Sequence, residues 1–193
     1  MKNYTDRELL KRSRELPSFE HTPLGYWILG VRSAADKPDE FDDKFYLFKS
    51  NKFIMRTFGT TNPGRYGLKN FSDYNKQGCA VMKSDEWYYD LWANGKHKGK
   101  MDALVQVAAC KYYRDSNKDE KSDESGEVYE GIIGLNFHTA SYLSKSAAQK
   151  FIARLIGKWS VGCQVASSGY DYYRILDYVF RQKRISYCLL KEF

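Results

Sequence analysis

Phe45-Tyr46-Leu47-Phe48, then Lys49-Ser50-Asn51-Lys52, then Phe53-Ile54-Met55-Arg56-Thr57-Phe58 sets two aromatic and aliphatic runs on either side of a short polar turn. Such side chains suit a pleated, half-buried surface, and a polar turn between two such runs is the pattern of a β-hairpin. Upstream, Tyr26-Trp27-Ile28-Leu29-Gly30-Val31 reads as a further strand, followed by a polar loop from Arg32 to Asp43 that contains Pro38. Downstream, Gly78 to Met82, Val128 to Phe137 and Ile185 to Leu190 are strand-like, and Ala103 to Tyr113 reads as a strand after a short helical turn. Glu86 to Trp92 is an aromatic segment, and Asn94 to Lys100 a basic glycine loop. The stretch from Thr60-Thr61-Asn62-Pro63-Gly64 to Gly78 reads as a surface loop.

Helical signals are fewer. Thr5-Asp6-Arg7-Glu8 matches a capping box, and the amphipathic turns after it stop at Pro17, so residues 1–23 read as a helical brace or lid on a domain of residues 24–193. Leu143, Ala147, Phe151, Ile152 and Leu155 recur at helical spacing, which predicts a helix over Ser144 to Ile156 capped by Gly157. Tyr170 to Arg181 predicts another. The expectation is a mainly β domain with peripheral helices, and no internal repeat stands out.

Composition narrows the partners. With 31 Lys and Arg against 24 Asp and Glu, the net charge of +7 suits a polyanion such as nucleic acid, anionic cell wall or membrane headgroups, without choosing among them. No apolar run approaches the roughly 20 residues of a transmembrane helix, and the charged N-terminus lacks a secretory core. Cys79, Cys110, Cys163 and Cys188 have no paired spacing, which suggests neither a structural zinc site nor a disulfide scaffold. No metal or cofactor is expected. Asp115-Ser116-Asn117-Lys118-Asp119 alternates oxygen ligands like a calcium loop, yet Glu120 stands where that loop wants glycine and Gly126 where it wants glutamate, so a solvated turn is preferred.

Chemistry concentrates at Gly134-Leu135-Asn136-Phe137-His138 and Trp159-Ser160-Val161-Gly162-Cys163-Gln164-Val165. A cysteine is a useful nucleophile when an imidazole takes its proton and backbone N–H groups hold the oxyanion. A histidine and a cysteine 25 residues apart mean little alone, since buried cysteines are common packing residues. The pattern of His138 followed by Ser160-x-Gly162-Cys163, however, resembles the L,D-transpeptidase catalytic domain. Thr60 to Gly64, Gly95-Lys96-His97-Lys98-Gly99 and Tyr113-Arg114-Asp115-x-Asn117-x-Asp119 extend the likeness, over about Gly25 to Val165, to a divergent branch found in bacteriophage and bacterial genomes.

That resemblance implies a β-sandwich of two mixed sheets acting on peptidoglycan stem peptides. Carried over, Cys163 is the nucleophile, His138 its base, Ser160 and Gly162 shape the nucleophile loop, and the Gly162 and Cys163 N–H groups hold the oxyanion. The thiolate would attack the carbonyl of the diamino acid at stem position three, leaving a thioester that an amine or water resolves. Transpeptidation and L,D-carboxy- or endopeptidase activity both remain open, and the absence of a leader favours a phage-type lytic enzyme. The family usually has a shorter His-to-Cys interval and an Arg or Asn soon after the cysteine; Gln164 or Arg154 would take that place here, with His97 and Arg32 as further substrate contacts. The alternative is a basic, non-catalytic binder of nucleic acid or cell wall, although no nucleic-acid motif is present. No carboxylate pair singles out a muramidase.

Overall fold

The computed structural model describes residues 1–37 and 39–193; Pro38 of the polar loop lies outside the described residues. The chain is mainly β, in two sheets with four helices around them. The larger sheet is built from β1 (Tyr26–Arg32), β2 (Asp43–Lys49), β3 (Lys52–Thr60), β5 (Glu86–His97), β6 (Met101–Gln106), β9 (Phe137–Thr139), β10 (Gln164–Ala166) and β11 (Ile185–Lys191). The smaller is built from β4 (Cys79–Met82), β7 (Cys110–Asp115) and β8 (Tyr129–Gly131), with antiparallel pairings throughout.

Where two stacked sheets were expected, the larger one runs in a closed order, β1-β11-β5-β6-β9-β10-β3-β2. It is mixed, because β1 pairs with β11, and β9 with β10, in parallel. The ring is thin at one seam, where β6 meets β9 through the single pair Leu104–Phe137.

Alternation along the strands explains the packing, because successive side chains point to opposite faces. Ile28, Phe45, Leu47, Tyr187 and Leu189 join one core with Trp92 and Phe137, and helix α4 (Gly169–Val179) adds Tyr172, Ile175 and Val179 to it. Their neighbours Trp27, Leu29, Tyr46, Phe48 and Leu190 face the other way, into a second core closed by Leu9 and Leu16 at helix α1 (Asp6–Arg14). The Thr5–Glu8 capping box is formed, and the Trp87 indole donates to the Ser13 carbonyl at 2.7 Å. The N-terminal helix thus braces the outside of the strands.

Several expectations need correcting. The helix over Ser144 to Ile156 shrinks to α3 (Lys145–Ala148), because the chain beyond it bonds elsewhere: Ala153 N–H to the Ser167 carbonyl, Ile156 N–H to that of Asp39, and Ile152 in a bridge with Ser168. Phe151, Ile152 and Leu155 stay exposed, so the helical stripe has no core to join. The basic glycine loop is mostly strand, since β5 continues to His97 and a turn of Lys98, Gly99 and Lys100, the first two at positive φ, leads into β6. Ala103 to Tyr113 is two strands, not one, and Val128 to Phe137 breaks between β8 and β9. The stretch after Gly64 carries a short helix α2 (Arg65–Lys69) and a 3₁₀ turn. In the Asp115 loop, Asp115 accepts from the Asp123 N–H at 3.0 Å and Asp123 from the Asn117 amide at 2.7 Å, so these oxygens fold the turn itself.

Candidate active site

The short strands β9 and β10 lie side by side, with Gln164 opposite Phe137 and Val165 opposite His138, and this register brings the two distant motifs together. One ring nitrogen each of His97 and His138 and the Cys163 sulfur lie within 4.8 Å of one another. The imidazoles stack, with centroids 4.2 Å apart. His97 arrives from the end of β5, so the cluster joins three separated parts of the chain.

The nucleophile loop has a local cause. Ser160 Oγ donates to the Cys163 carbonyl at 2.8 Å and accepts from the Gly162 N–H at 3.2 Å, closing a tight turn. Gly162 sits at φ 138°, and a Cβ there would come within 2.6 Å of the Ala80 carbonyl oxygen, so only glycine fits. One expectation fails on this geometry: the Gly162 N–H is taken by Ser160 and is not a free oxyanion donor. The Cys163 N–H is without an acceptor among the described residues.

Each imidazole has a defined proton position. His138 Nδ1 lies 2.9 Å from the Thr139 carbonyl oxygen, which can only accept, so Nδ1 carries the hydrogen and Nε2 offers a lone pair. That Nε2 is buried and has no partner among the described residues. His97 Nδ1 lies 3.0 Å from the Asn136 amide nitrogen. The orientation of Asn136 is fixed because its oxygen accepts from the Gln106 N–H at 2.8 Å. His97 Nδ1 is therefore the acceptor, and its hydrogen is on Nε2.

Electrostatics keep the resting site uncharged. Burial pushes the Cys163 thiol up to about 11, against the pull of the Asn136 backbone and the Lys98 ammonium. Burial, with the neighbouring His97 ring, drives His138 down to about 3 despite its bond to Thr139. His97 falls to about 4 through burial and the Lys98 charge. The pair at rest is a neutral thiol and a neutral imidazole, not a thiolate–imidazolium, and the thiol leans on the Gly134 carbonyl at 3.4 Å. The same three side chains are the set that could hold a thiophilic metal ion, at the cost of the thiol proton and with His97 Nδ1 already engaged by Asn136.

The half-buried Cys163 opens into a cleft of about 440 Å³, bordered by His97, Gly134 and Trp159. Three cations, Lys98, Arg114 and Lys158, line it together with Tyr74 and Asn75, and among the described residues no carboxylate does. None of these is predicted as a binding group from sequence, although Lys98 and Arg114 lie within stretches that carry the family likeness. Gln106 was missed too: its side-chain oxygen accepts from the Ile133, Gly134 and Leu135 N–H groups at 2.9–3.0 Å, shaping the segment that carries the Gly134 carbonyl.

Three expected substrate contacts lie elsewhere. Gln164 is fully buried and accepts from the Tyr187 hydroxyl at 2.9 Å. Arg32 is buried, ion-paired with Glu124, and donates to the Thr61 hydroxyl at 2.9 Å. Arg154 is exposed and does not line the cleft. Cys79, Cys110 and Cys188 are buried packing residues, as expected. Among the described residues no helix is long and apolar enough to cross a membrane. No family model, no curated protein and no solved structure matches the chain.

Proposed function

We propose that the protein is a cysteine acyltransferase acting on peptidoglycan stem peptides, an L,D-transpeptidase or an L,D-carboxy- or endopeptidase of the phage lytic type. The observation that carries this reading is the half-buried Cys163 sulfur at a cleft, within 4.8 Å of a buried ring whose Nε2 lone pair has no partner. Such a nitrogen is costly unless it is used, and taking a thiol proton would use it once the sulfur turns from the Gly134 carbonyl. The carbonyl of Thr139 orients that ring as the third group of a triad does.

The cationic wall suits a substrate bearing carboxylates, as stem peptides do. A sandwich of L,D-transpeptidase type belongs to the same reading, supported only as far as a mainly β chain in two sheets with peripheral helices goes. In the reaction, substrate filling the cleft displaces water and turns the thiol from Gly134 toward His138. Sulfur then attacks the carbonyl as Nε2 takes the proton, and the amine departs with that proton, leaving a thioester.

Incubating the protein with muropeptide tetrapeptides tests this by mass spectrometry. Loss of the terminal D-alanine, a 3→3 dimer or cleaved cross-links is expected with wild type, and none of these with Cys163→Ala. An unchanged tetrapeptide with wild type would sink the reading.

A further inference from the structure

We propose that His97 is the second oxyanion donor of this acyl transfer, its proton held on Nε2 by the Asn136 side chain. The role rests on Cys163 being the nucleophile. Acyl transfer by a thiol needs donors aimed at the carbonyl oxygen as it gains charge, and a site commonly supplies two. Here the nucleophile loop supplies one, because Ser160 has taken the Gly162 N–H and only that of Cys163 is open.

His97 is placed to supply the other. It lines the cleft, and a nitrogen of its ring is within 4.8 Å of the sulfur, close enough for a hydrogen bond of about 3 Å to an oxygen on the carbon that the sulfur attacks. Its chemistry is set by a relay through the backbone. The Gln106 N–H fixes the Asn136 oxygen, the Asn136 amide donates to His97 Nδ1, and the ring proton is thereby excluded from Nδ1. Among the described residues nothing bonds His97 Nε2, so its N–H is available to a ligand. The two stacked rings are thus locked in opposite tautomers, His138 presenting an acceptor and His97 a donor.

The step balances as follows. The sulfur–carbon bond forms, the thiol proton passes to His138 Nε2, and the carbonyl π pair moves onto oxygen, which accepts from the Cys163 N–H and His97 Nε2–H. On collapse the carbonyl reforms, the carbon–nitrogen bond breaks, and the His138 proton leaves on the amine. His97 keeps its proton throughout.

Long-range side-chain ¹H–¹⁵N spectra of the full chain near neutral pH test the tautomers, with His97→Gln assigning the signals. Two buried rings are expected, His97 protonated at Nε2 and His138 at Nδ1, beside the exposed His21. A His97 ring protonated at Nδ1 overturns the proposal. Kinetics on the tetrapeptide test the role once Cys163→Ala has been shown to abolish wild-type turnover. His97→Leu should lower kcat about a hundredfold with KM little changed, while His97→Gln, which keeps an N–H donor, retains most of the rate. Alkylation of Cys163 by iodoacetamide builds no oxyanion and should not fall in parallel with kcat in either variant. Equal losses in the two variants, a change in KM alone, or a parallel loss of alkylation would each overturn the role. Should His97→Leu not fold, the glutamine variant and the wild-type spectra still decide. A wild type without turnover removes the acyl-transfer reading and this role with it, whereas turnover with unaffected His97 variants removes only this role.

Discussion

The Cys163 cleft and the Arg32 cluster both bury ionisable side chains beside the larger sheet, and they treat them in opposite ways. Around Arg32 the charged groups are answered, although the neighbouring Asn62 Oδ1 has no partner among the described residues. Its guanidinium pairs with Glu124 and donates to the Thr61 hydroxyl and carbonyl; Glu124 also accepts from Ser84; Asp43 accepts from the Ser33 and Thr61 N–H groups at 2.7 and 2.6 Å. Burial would raise the Glu124 carboxyl, but the Arg32 charge and Ser84 hold it below its ordinary range. In the cleft, by contrast, the His138 Nε2 lone pair is buried without a partner and the thiol sits beside it unionised. A satisfied cluster fixes structure, whereas an unsatisfied one stores capacity for a ligand.

Substitution should separate the two. Arg32→Met leaves the buried Glu124 facing only the more distant, exposed Lys191 ammonium at 3.7 Å among the described residues, and should cost about 3 kcal/mol of folding stability in urea titrations. His138→Phe removes an orphaned polar atom together with the Nδ1–H bond to Thr139, so it should cost about 1–2 kcal/mol, less than Arg32→Met. Acyl transfer should nevertheless fall by about 10²–10⁴-fold, the usual worth of a general base. If Arg32→Met left stability unchanged, or His138→Phe unfolded the chain, the distinction between the regions would be lost.

Acid separates individual groups: the cleft rings and Asp43 respond to it with opposite sign, while Glu124, held low, loses its contribution together with the rings once pH falls below the ordinary carboxylate range. His97 and His138 titrate near 4 and 3 when folded, below the 6.5 of a free ring. The unfolded chain therefore binds protons that the folded chain refuses, and stability drops as pH falls below 6.5, by several kcal/mol for the two coupled rings together by pH 4. Asp43 does the reverse: burial and the neighbouring Asp42 raise it from 3.8 to about 6, against the donors that face it. Its contribution is full below the unfolded value and is lost as pH rises through about 6, on the order of 3 kcal/mol. The two rings outweigh the Asp43 carboxyl between pH 6 and 4, and the lowered Glu124 and Glu86 carboxyls add to the loss as pH falls further. A urea midpoint that held steady or rose between pH 6 and 4 would show Asp43 outweighing the rings.

What could be read without coordinates follows the same division between local and long-range causes. Thr5 and Glu8 cap a helix within four residues, and the hairpin of β2 and β3 closes within one turn, so both were legible. The Ser144 to Ile156 stripe misled because its fate depends on Asp39, Ser167 and Ser168, which sequence spacing does not bring near. In the cleft, Cys163, His138, Ser160, Gly162 and His97 were visible as residue types in a pattern. Their hydrogen-bond states were not, since Asn136 and Gln106 act on His97 through the β5–β6 pairing and the fold of residues 131–135. Gln164, Arg154 and Arg32 were chosen by proximity or strand position, and neither says which face of the sheet a side chain takes.

The smallest expected effect is the most diagnostic of how the cleft sets its charge. Lys98 is exposed at the β5–β6 turn, yet its ammonium lowers His97, His138 and Cys163 together. It therefore favours the thiolate while opposing the imidazolium, so it makes the thiol a better nucleophile and the ring a poorer base in the same stroke. Lys98→Gln removes both influences. The pH profile of Cys163 alkylation should move upward, and the imidazole titrations should move upward with it. Water and salt screen an exposed charge, so each shift should be under about one pH unit and should shrink further when the wild type and variant are compared in high salt. Movement of the thiol and the rings in opposite directions would mean that a loop rearrangement, and not the lost charge, had been measured.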